Sequence, residues 1–355
     1  MGIKSNNPSE SYFNRFGKSG KGAINPAPVA PDYIDASGGT TTTYAPSPTV
    51  KYKVHSFLTT SSLVVNTAPG GNPTVPTTID ILVVGGGGGS GARNYGGAGG
   101  GGGGMAVATS YAVVAGTTYP ATVGGGGEGT TYPSPGATGV NGEDSVFANP
   151  ANTPHTITGK GGGGAGATAN GNPGGSGGGG CGTDSGYPPP SNLFTGGEGI
   201  QPTQNPGISN LTNYGNDGGT GGGTPGGSDN CGGAGGAAGG AGGGFPQTLT
   251  PTPWGPASPG VAGADGQPND FRTGSAVVYG GGGGACGHSW NGGPTYKPGG
   301  TGGGGASSPK TGTPGTANTG GGGGGSDDSP GGPPVVGGDG GSGIIVVRYR
   351  MDPTL

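Results

Sequence analysis

The chain has 355 residues, of which 27 % are hydrophobic and 8 % charged, with a formal net charge of −4. Ordinary globular domains are about half apolar and about a quarter charged, so a large side-chain core is excluded, and the small net charge excludes a self-repelling polyelectrolyte. Glycine supplies 101 residues, and all but eight of them lie between Gly85 and Gly343.

Residues 1–45 read as an extended N-terminal anchor with a Pro-rich linker. Up to position 22, Lys4, Arg15, Lys18 and Lys21 face one acid, Glu10, and Tyr12, Phe13 and Phe16 lie among them. The run Asn25-Pro26-Ala27-Pro28-Val29-Ala30-Pro31 must be extended, because proline fixes its own φ and biases its predecessor away from helix. This segment is either a free tail or a peptide that orders on a partner. Its cations are too few for a nucleic-acid footprint.

Residues 46–355 read as one glycine-rich domain, with β structure over 50–158 and 343–350. Val50, Tyr52 and Val54 alternate with Lys51, Lys53 and His55, which predicts a half-buried strand. Residues 59–62 read as a turn, with a returning strand at Leu63-Val64-Val65. A strand is expected at 79–84, a hairpin from 107–114 and 117–123, and short strands at 144–148 and 155–158. Ile344-Ile345-Val346-Val347-Arg348-Tyr349-Arg350 is the strongest strand signal. No ten-residue segment carries a helical period.

Glycine blocks near 85–104 and through 159–343 carry loops between them. They lack the strict Gly-X-Y rule of collagen. A residue without a side chain cannot build an apolar core and loses the most freedom on ordering. The blocks are therefore either tether or backbone packed on backbone. Polyproline-II geometry suits the second case, with three residues per turn, ~3.1 Å rise and no internal hydrogen bonds. The expected fold class is mainly β and irregular: short antiparallel strands at both chain ends clamp a bundle of polyproline/polyglycine-II strands, with essentially no α-helix.

Sites of chemistry are sparse. GxGxxG matches are unavoidable at this glycine content, and no helix follows the strand ending at Val84. Gly17-Lys18-Ser19 lacks the first P-loop glycine, because Tyr12 stands there. Ser342 replaces the Asp of a calcium-binding nonapeptide. Asp327-Asp328 and Glu143-Asp144 read as solvated loops, with weak binding of a cation as the alternative. His55, His155 and His288 are far apart, and His288 beside Cys286 makes no four-ligand zinc site. No catalytic residue, metal or cofactor is expected, and the chain is not expected to be an enzyme. Cys181, Cys231 and Cys286 read as small apolar fillers from a reducing compartment, with one disulfide plus one free thiol as the alternative. The first thirty residues hold no apolar leader region, and no apolar run reaches membrane-spanning length.

Tyr187, Phe194, Tyr214, Phe245, Trp254, Trp290 and Tyr296 fall between glycine blocks, in segments read as loops. Rings with Asn, Ser and Asp beside them suit a surface for sugar or protein; capping of the bundle ends is the alternative.

Five motifs together resemble the glycine-rich domain of bacteriophage tail and other virion proteins. They are Val54-His55-Ser56-Phe57, the run from Ile79 to Gly88, Tyr119-Pro120-Ala121-Thr122-Val123-Gly124, Gly142-Glu143-Asp144-Ser145-Val146-Phe147 and the closing Gly341 to Tyr349. The glycine blocks also resemble the polyglycine-II sandwich of tail-fibre adhesins, and residues 5–14 resemble the start of small structural proteins of cyanobacterial phages. The resemblance implies a virion protein assembled in the host cytoplasm, with receptor-facing loops and virion anchoring through Lys4, Tyr12, Phe13, Arg15, Phe16, Lys18 and Lys21. The implied partners are other virion proteins, a host-surface polysaccharide or outer-membrane protein, and a second copy of the chain. A purely architectural decoration or tail-connecting protein is the alternative. An ice-binding bundle would need a flat Thr/Ala face, which irregular loops oppose.

Overall fold

A computed structural model describes residues 33–67, 77–133, 138–150, 155–182, 193–203, 205, 208–223, 230–245, 260–289, 293–328 and 334–351. Its chain runs out from a β core and back again many times. β1 (Asp35–Ser37), β2 (Thr40–Ser47), β3 (Val50–Phe57), β4 (Ser61–Thr67) and β5 (Thr78–Val84) open the core. Residues 85–91 run outward to β6 (Ala92–Arg93), and 97–104 return into β7 (Met105–Ala112). From β8 (Thr118–Thr122) the path leads out to β9 (Thr131–Tyr132) and back to β10 (Ser145–Phe147) and β11 (Ile157–Gly159). Residues 160–182 run out, fold back and run out again; β12 (Leu193–Phe194) begins the return to a 3-10 turn at Gln201–Thr203 and to β13 (Leu211–Tyr214). β14 (Gly221–Gly223) and β15 (Asn230–Cys231) lie at the outer end, and β16 (Gln267–Asn269) with β17 (Val277–Tyr279) lies at the core. β18 (Gly287–Ser289), β19 (Gly293–Thr295), β20 (Ser308–Pro309), β21 (Ser326–Asp327) and β22 (Val335–Val336) are outer again, before β23 (Ile344–Met351) closes the core.

Two sheets form that core. One has the order β13-β7-β5-β23-β3-β2 and the other β1-β4-β8-β10-β11. Phe57, Ile79, Ile81, Val83, Ile345 and Val347 of the first pack on Leu63, Val65, Tyr119, Phe147 and Ile157 of the second. The far face of the six-stranded sheet carries Val54, Leu82, Val84, Ile344 and Val346, covered by Phe271 and Tyr279 of the β16–β17 hairpin. A sheet buried on both faces needs apolar residues in succession, which is why β5 and β23 read as continuous aliphatic runs.

The expected hairpin over 107–123 is not formed. β7 pairs with β5 and β13, whereas β8 pairs with β4 and β10. The turn at 59–62 likewise carries the chain from β3 to β4 in the other sheet. Consecutive strands split across the layers because each layer needs one face on the shared core. The N-terminal boundary also moves: β1 pairs with β4 and β2 with β3, so the body already includes residues read as linker. Gly38 and Gly39, both at positive φ, make the turn between them.

The glycine strands show the three-residue period expected of them. Gly85, Gly88 and Gly91 donate to Gly104, Gly101 and Ala98; Gly86 and Gly89 donate to Glu143 and Val140; Gly87 and Ser90 donate to Gly341 and Gly338. Each third amide thus meets the same neighbour, whereas a β-strand alternates between two sides. Residues 97–104 sit deepest. They donate to strands 160–163, 233–236 and 320–323, and accept from 85–91, 176–179 and 283–286, at 2.7–3.1 Å. One strand therefore has six bonded neighbours, as in a hexagonal array. A Cβ on Gly99, Gly100, Gly101, Gly102 or Gly103 would collide with the carbonyl of Gly283, Gly88, Ser176, Gly280 or Gly85 respectively.

At the rim, side chains replace the missing strands. Glu143 accepts from the Gly125 amide, Asp144 from Gly161, Asp339 from Gly129, Asp217 from Gly199 and Asn141 from Gly164. Glu143-Asp144 is thus a lattice edge rather than a solvated loop.

Two outcomes test the array. Gly100→Ala will lower stability by more than about 3 kcal/mol in denaturant unfolding, because backbone on the facing strand must move. Gly240→Ala, whose added Cβ meets nothing within 4 Å, will change stability by less than about 1 kcal/mol. In native-state hydrogen exchange the amides of 86–90 and 99–104 will exchange only with global unfolding. Fast exchange there, with protection confined to the core sheets, would rule the array out.

Candidate functional site

Two of the small sheets at the outer end of the bundle frame the site. β12-β14-β15-β18-β19 is antiparallel, and β20-β21-β6 is parallel. Between them lies a buried group of polar side chains. Arg93 and Asp327 are in register on adjacent strands, at 3 % and 0 % exposure. Arg93 Nη1 donates to the Ala167 carbonyl at 3.1 Å and to Cys181 Sγ at 2.9 Å. Asp327 Oδ2 accepts from the Gly96 amide at 3.4 Å and lies 3.7 Å from His288 Nδ1. The Tyr95 ring is 4.4 Å from the His288 ring. Asp328, next in sequence, pairs with Lys310 at 2.9 Å. The solvated-loop reading of Asp327-Asp328 is therefore wrong. A carboxylate can be buried when amides and cations surround it.

The three cysteines are all buried, and none forms a disulfide. Burial pushes the Cys231 thiol up to about 12, against a smaller pull from Lys297. Burial and the Asp327 charge push the Cys286 thiol well above its ordinary range. These two thiols stay protonated at neutral pH and are poor nucleophiles and poor metal ligands. Burial, with the Asp327 and Cys286 charges, also raises the Tyr296 hydroxyl. Among the described residues no group of three or more His, Cys, Asp or Glu is placed to hold a metal ion, and no helix is long and apolar enough to cross a membrane. The group is closed to solvent, so its chemistry is that of a clasp: it ties the ends of β6, β18 and β21 together.

The sequence-selected aromatics separate into three sets. Phe194, half-buried in β12 opposite Gly221, Phe245, 8 % exposed beside Thr220, and Tyr296, half-buried after β19, gather at the outer end. Tyr214 does not. It lies in β13 opposite Met105 and packs on the core cluster under the β16–β17 hairpin. Phe194 and Tyr214 are thus strand residues, not loop residues. Phe245 is packed away from solvent, which favours the capping alternative there. Tyr187, Trp254 and Trp290 lie outside the described residues, as do Lys4, Tyr12, Phe13, Arg15, Phe16, Lys18 and Lys21. The described residues that flank the segments 183–192, 246–259 and 290–292 do converge. Gly182 and Leu193, Phe245 and Gly260, and Ser289 and Gly293 all border the same five-stranded sheet.

Sequence reading missed Arg93 and His288 as members of one buried group. Arg93 was the available signal, because it is a lone cation between glycine blocks where nothing apolar could shield it.

A β-sandwich that extends into an array of polyglycine-II strands defines the class of protein. The glycine-rich domain family matches residues 64–350, and this chain belongs to that family. No curated protein matches the chain.

The thiols offer a direct check. In the native protein at pH 8, Cys231 and Cys286 will resist an aromatic disulfide reagent, and all three cysteines will react after unfolding. Rapid modification of the folded protein would show that the outer end opens.

Proposed function

We propose that this protein is a structural component of a bacteriophage virion, a tail fibre or adhesin part, held by its N-terminal segment and presenting host-recognition loops at the far end of its glycine array. The reading of a phage tail context rests on the sequence resemblance. The observation that carries the display arrangement is the polarity of the chain. Tyr33 and β1 enter at the sandwich, and β23 ends there. The outer ends of the strands, by contrast, flank the segments that hold Tyr187, Trp254 and Trp290. An anchor and a display surface would then be separated by the length of the array. A strand of seven residues, such as 85–91, spans about 22 Å at polyproline-II rise.

The recognised surface would be a host polysaccharide or an outer-membrane protein. Many copies on one particle would convert weak single contacts into firm attachment. The chain would act by binding, without catalysis or cofactor.

Deletion of residues 1–32 separates the two roles. The truncated body is expected to keep its fold, to lose incorporation into particles and still to attach to host cells. Trp254→Ala or Trp290→Ala is expected to weaken that attachment at least tenfold without changing the melting midpoint. If the body adheres to no cell and the full chain binds only particles, the architectural reading replaces this one.

A further inference from the structure

A second candidate site lies at the sandwich, away from the outer end and independent of the display reading. A cavity of about 240 Å³ opens beside the edge strand β2, lined by Thr40, Thr42, Thr43, Tyr44, Ser56 and Arg272, with Leu58 and Thr273 at its rim. Alternation along β2 puts Thr40, Thr42 and Tyr44 on one face, and the β2–β3 register sets Ser56 opposite Thr40. The wall opposite is the turn between β16 and β17. That turn is fixed by its own bonds: the Gly274 amide donates to the Asp270 carbonyl at 2.9 Å, and Thr273 Oγ1 to the Ser275 carbonyl at 2.9 Å. Gly274, at φ +78°, lies against the Tyr44 ring so closely that a Cβ would meet it at 2.6 Å.

Several groups facing this cavity keep unused hydrogen-bonding capacity. Among the described residues Arg272 has no carboxylate partner, since Asp270 is committed to Arg348 at 3.2 Å and Asp35 to Lys53 at 3.2 Å. Arg272's electrostatic neighbour is the buried Tyr279 hydroxyl, whose proton loss burial opposes. The hydroxyls of Thr40, Thr42 and Thr43 make no hydrogen bond to other described residues. One guanidinium that meets no carboxylate, a row of hydroxyls and an aromatic ring thus line a single concavity. Its volume is below the ~300–1,000 Å³ of pockets for drug-sized ligands, which limits the occupant to about one sugar ring.

We infer that this cavity binds an acidic monosaccharide unit, its carboxylate on Arg272, its hydroxyls on the β2 threonines and its apolar face toward Tyr44. A guanidinium holds a carboxylate through two parallel hydrogen bonds, which sets both affinity and orientation. A neutral sugar would leave the guanidinium without its partner. A simple carboxylate would leave the hydroxyls idle.

The test is a titration of the full-length protein with sodium glucuronate, glucose and sodium acetate, read from the amide resonances of residues 40–44 and 270–275. Glucuronate is expected to give saturable shifts, with glucose and acetate each at least tenfold weaker. Arg272→Gln should abolish the preference for glucuronate over glucose, and Thr42→Val, an isosteric change at an exposed position, should weaken glucuronate at least threefold. The proposal is overturned if glucuronate gives no saturable shift, if acetate binds as tightly, or if Arg272→Gln keeps the preference. Should Arg272→Gln lower the melting midpoint, the Thr42→Val result and the acetate comparison decide alone.

Discussion

Everything in this molecule depends on backbones packing against backbones with nothing between them. A strand with three residues per turn points its amides in three directions and its carbonyls in three others. Buried amides and carbonyls must each find a partner, so an interior strand needs six neighbours. Residues 97–104 have all six. That spacing leaves no room for a Cβ pointing at a neighbouring carbonyl. Among the described residues, interior exceptions such as Ser90, Ala98, Ala165, Ser176, Ala234, Cys181 and Cys286 carry side chains of one or two heavy atoms. Glycine is abundant here for want of space, not for flexibility; few of these glycines occupy positive φ.

The array does not stand by its own energy. An intramolecular hydrogen bond contributes about 0.5–1.5 kcal/mol net, whereas ordering one residue's backbone costs about 1–2 kcal/mol and glycine the most. Cα–H···O contacts narrow the gap without closing it. The sandwich supplies the rest. Val84 passes directly into Gly85, Gly104 into Met105, Tyr279 into Gly280 and Gly343 into Ile344, so a paired strand sets the position of each of these glycine strands before it leaves the core. Loop-closure entropy is lost once, in assembling the sheets, and the glycine strands then meet at short range.

This division explains how much the sequence revealed. Aliphatic runs such as Ile344-Ile345-Val346-Val347 signal their own burial, and blocks of glycine without a collagen period leave few other ordered solutions. Strand partners were not legible in the same way. The segments 107–114 and 117–123 are close in sequence and both β-forming, but nothing local says that they belong to different layers. The outer clasp was also hidden. Asp327 follows six glycines and a serine, and short polar sequence of that kind ordinarily reads as solvated. Only the convergence of Arg93 and Gly96 with His288, from segments far apart in the chain, makes its burial tolerable. Tyr214 misled for the opposite reason: its neighbours Thr212 and Asn213 look like loop, and only pairing with β7 makes them a strand.

The two ends of the array are under different constraints. At the sandwich every strand must enter in a fixed register, because a one-residue slip would turn its apolar side chains to the wrong face. At the outer end a glycine strand has already made its bonds, and the connection to the next has only to span adjacent lattice positions. The segments 183–192, 224–229, 246–259 and 290–292 differ widely in length and composition, while the described residues that flank them lie in or beside one sheet. Long surface insertions cost little, since doubling a loop adds only about 0.6 kcal/mol. A lattice of side-chain-free strands therefore permits change at one end only. Sequence can vary there without disturbing the array, and the opposite end stays fixed by its apolar core.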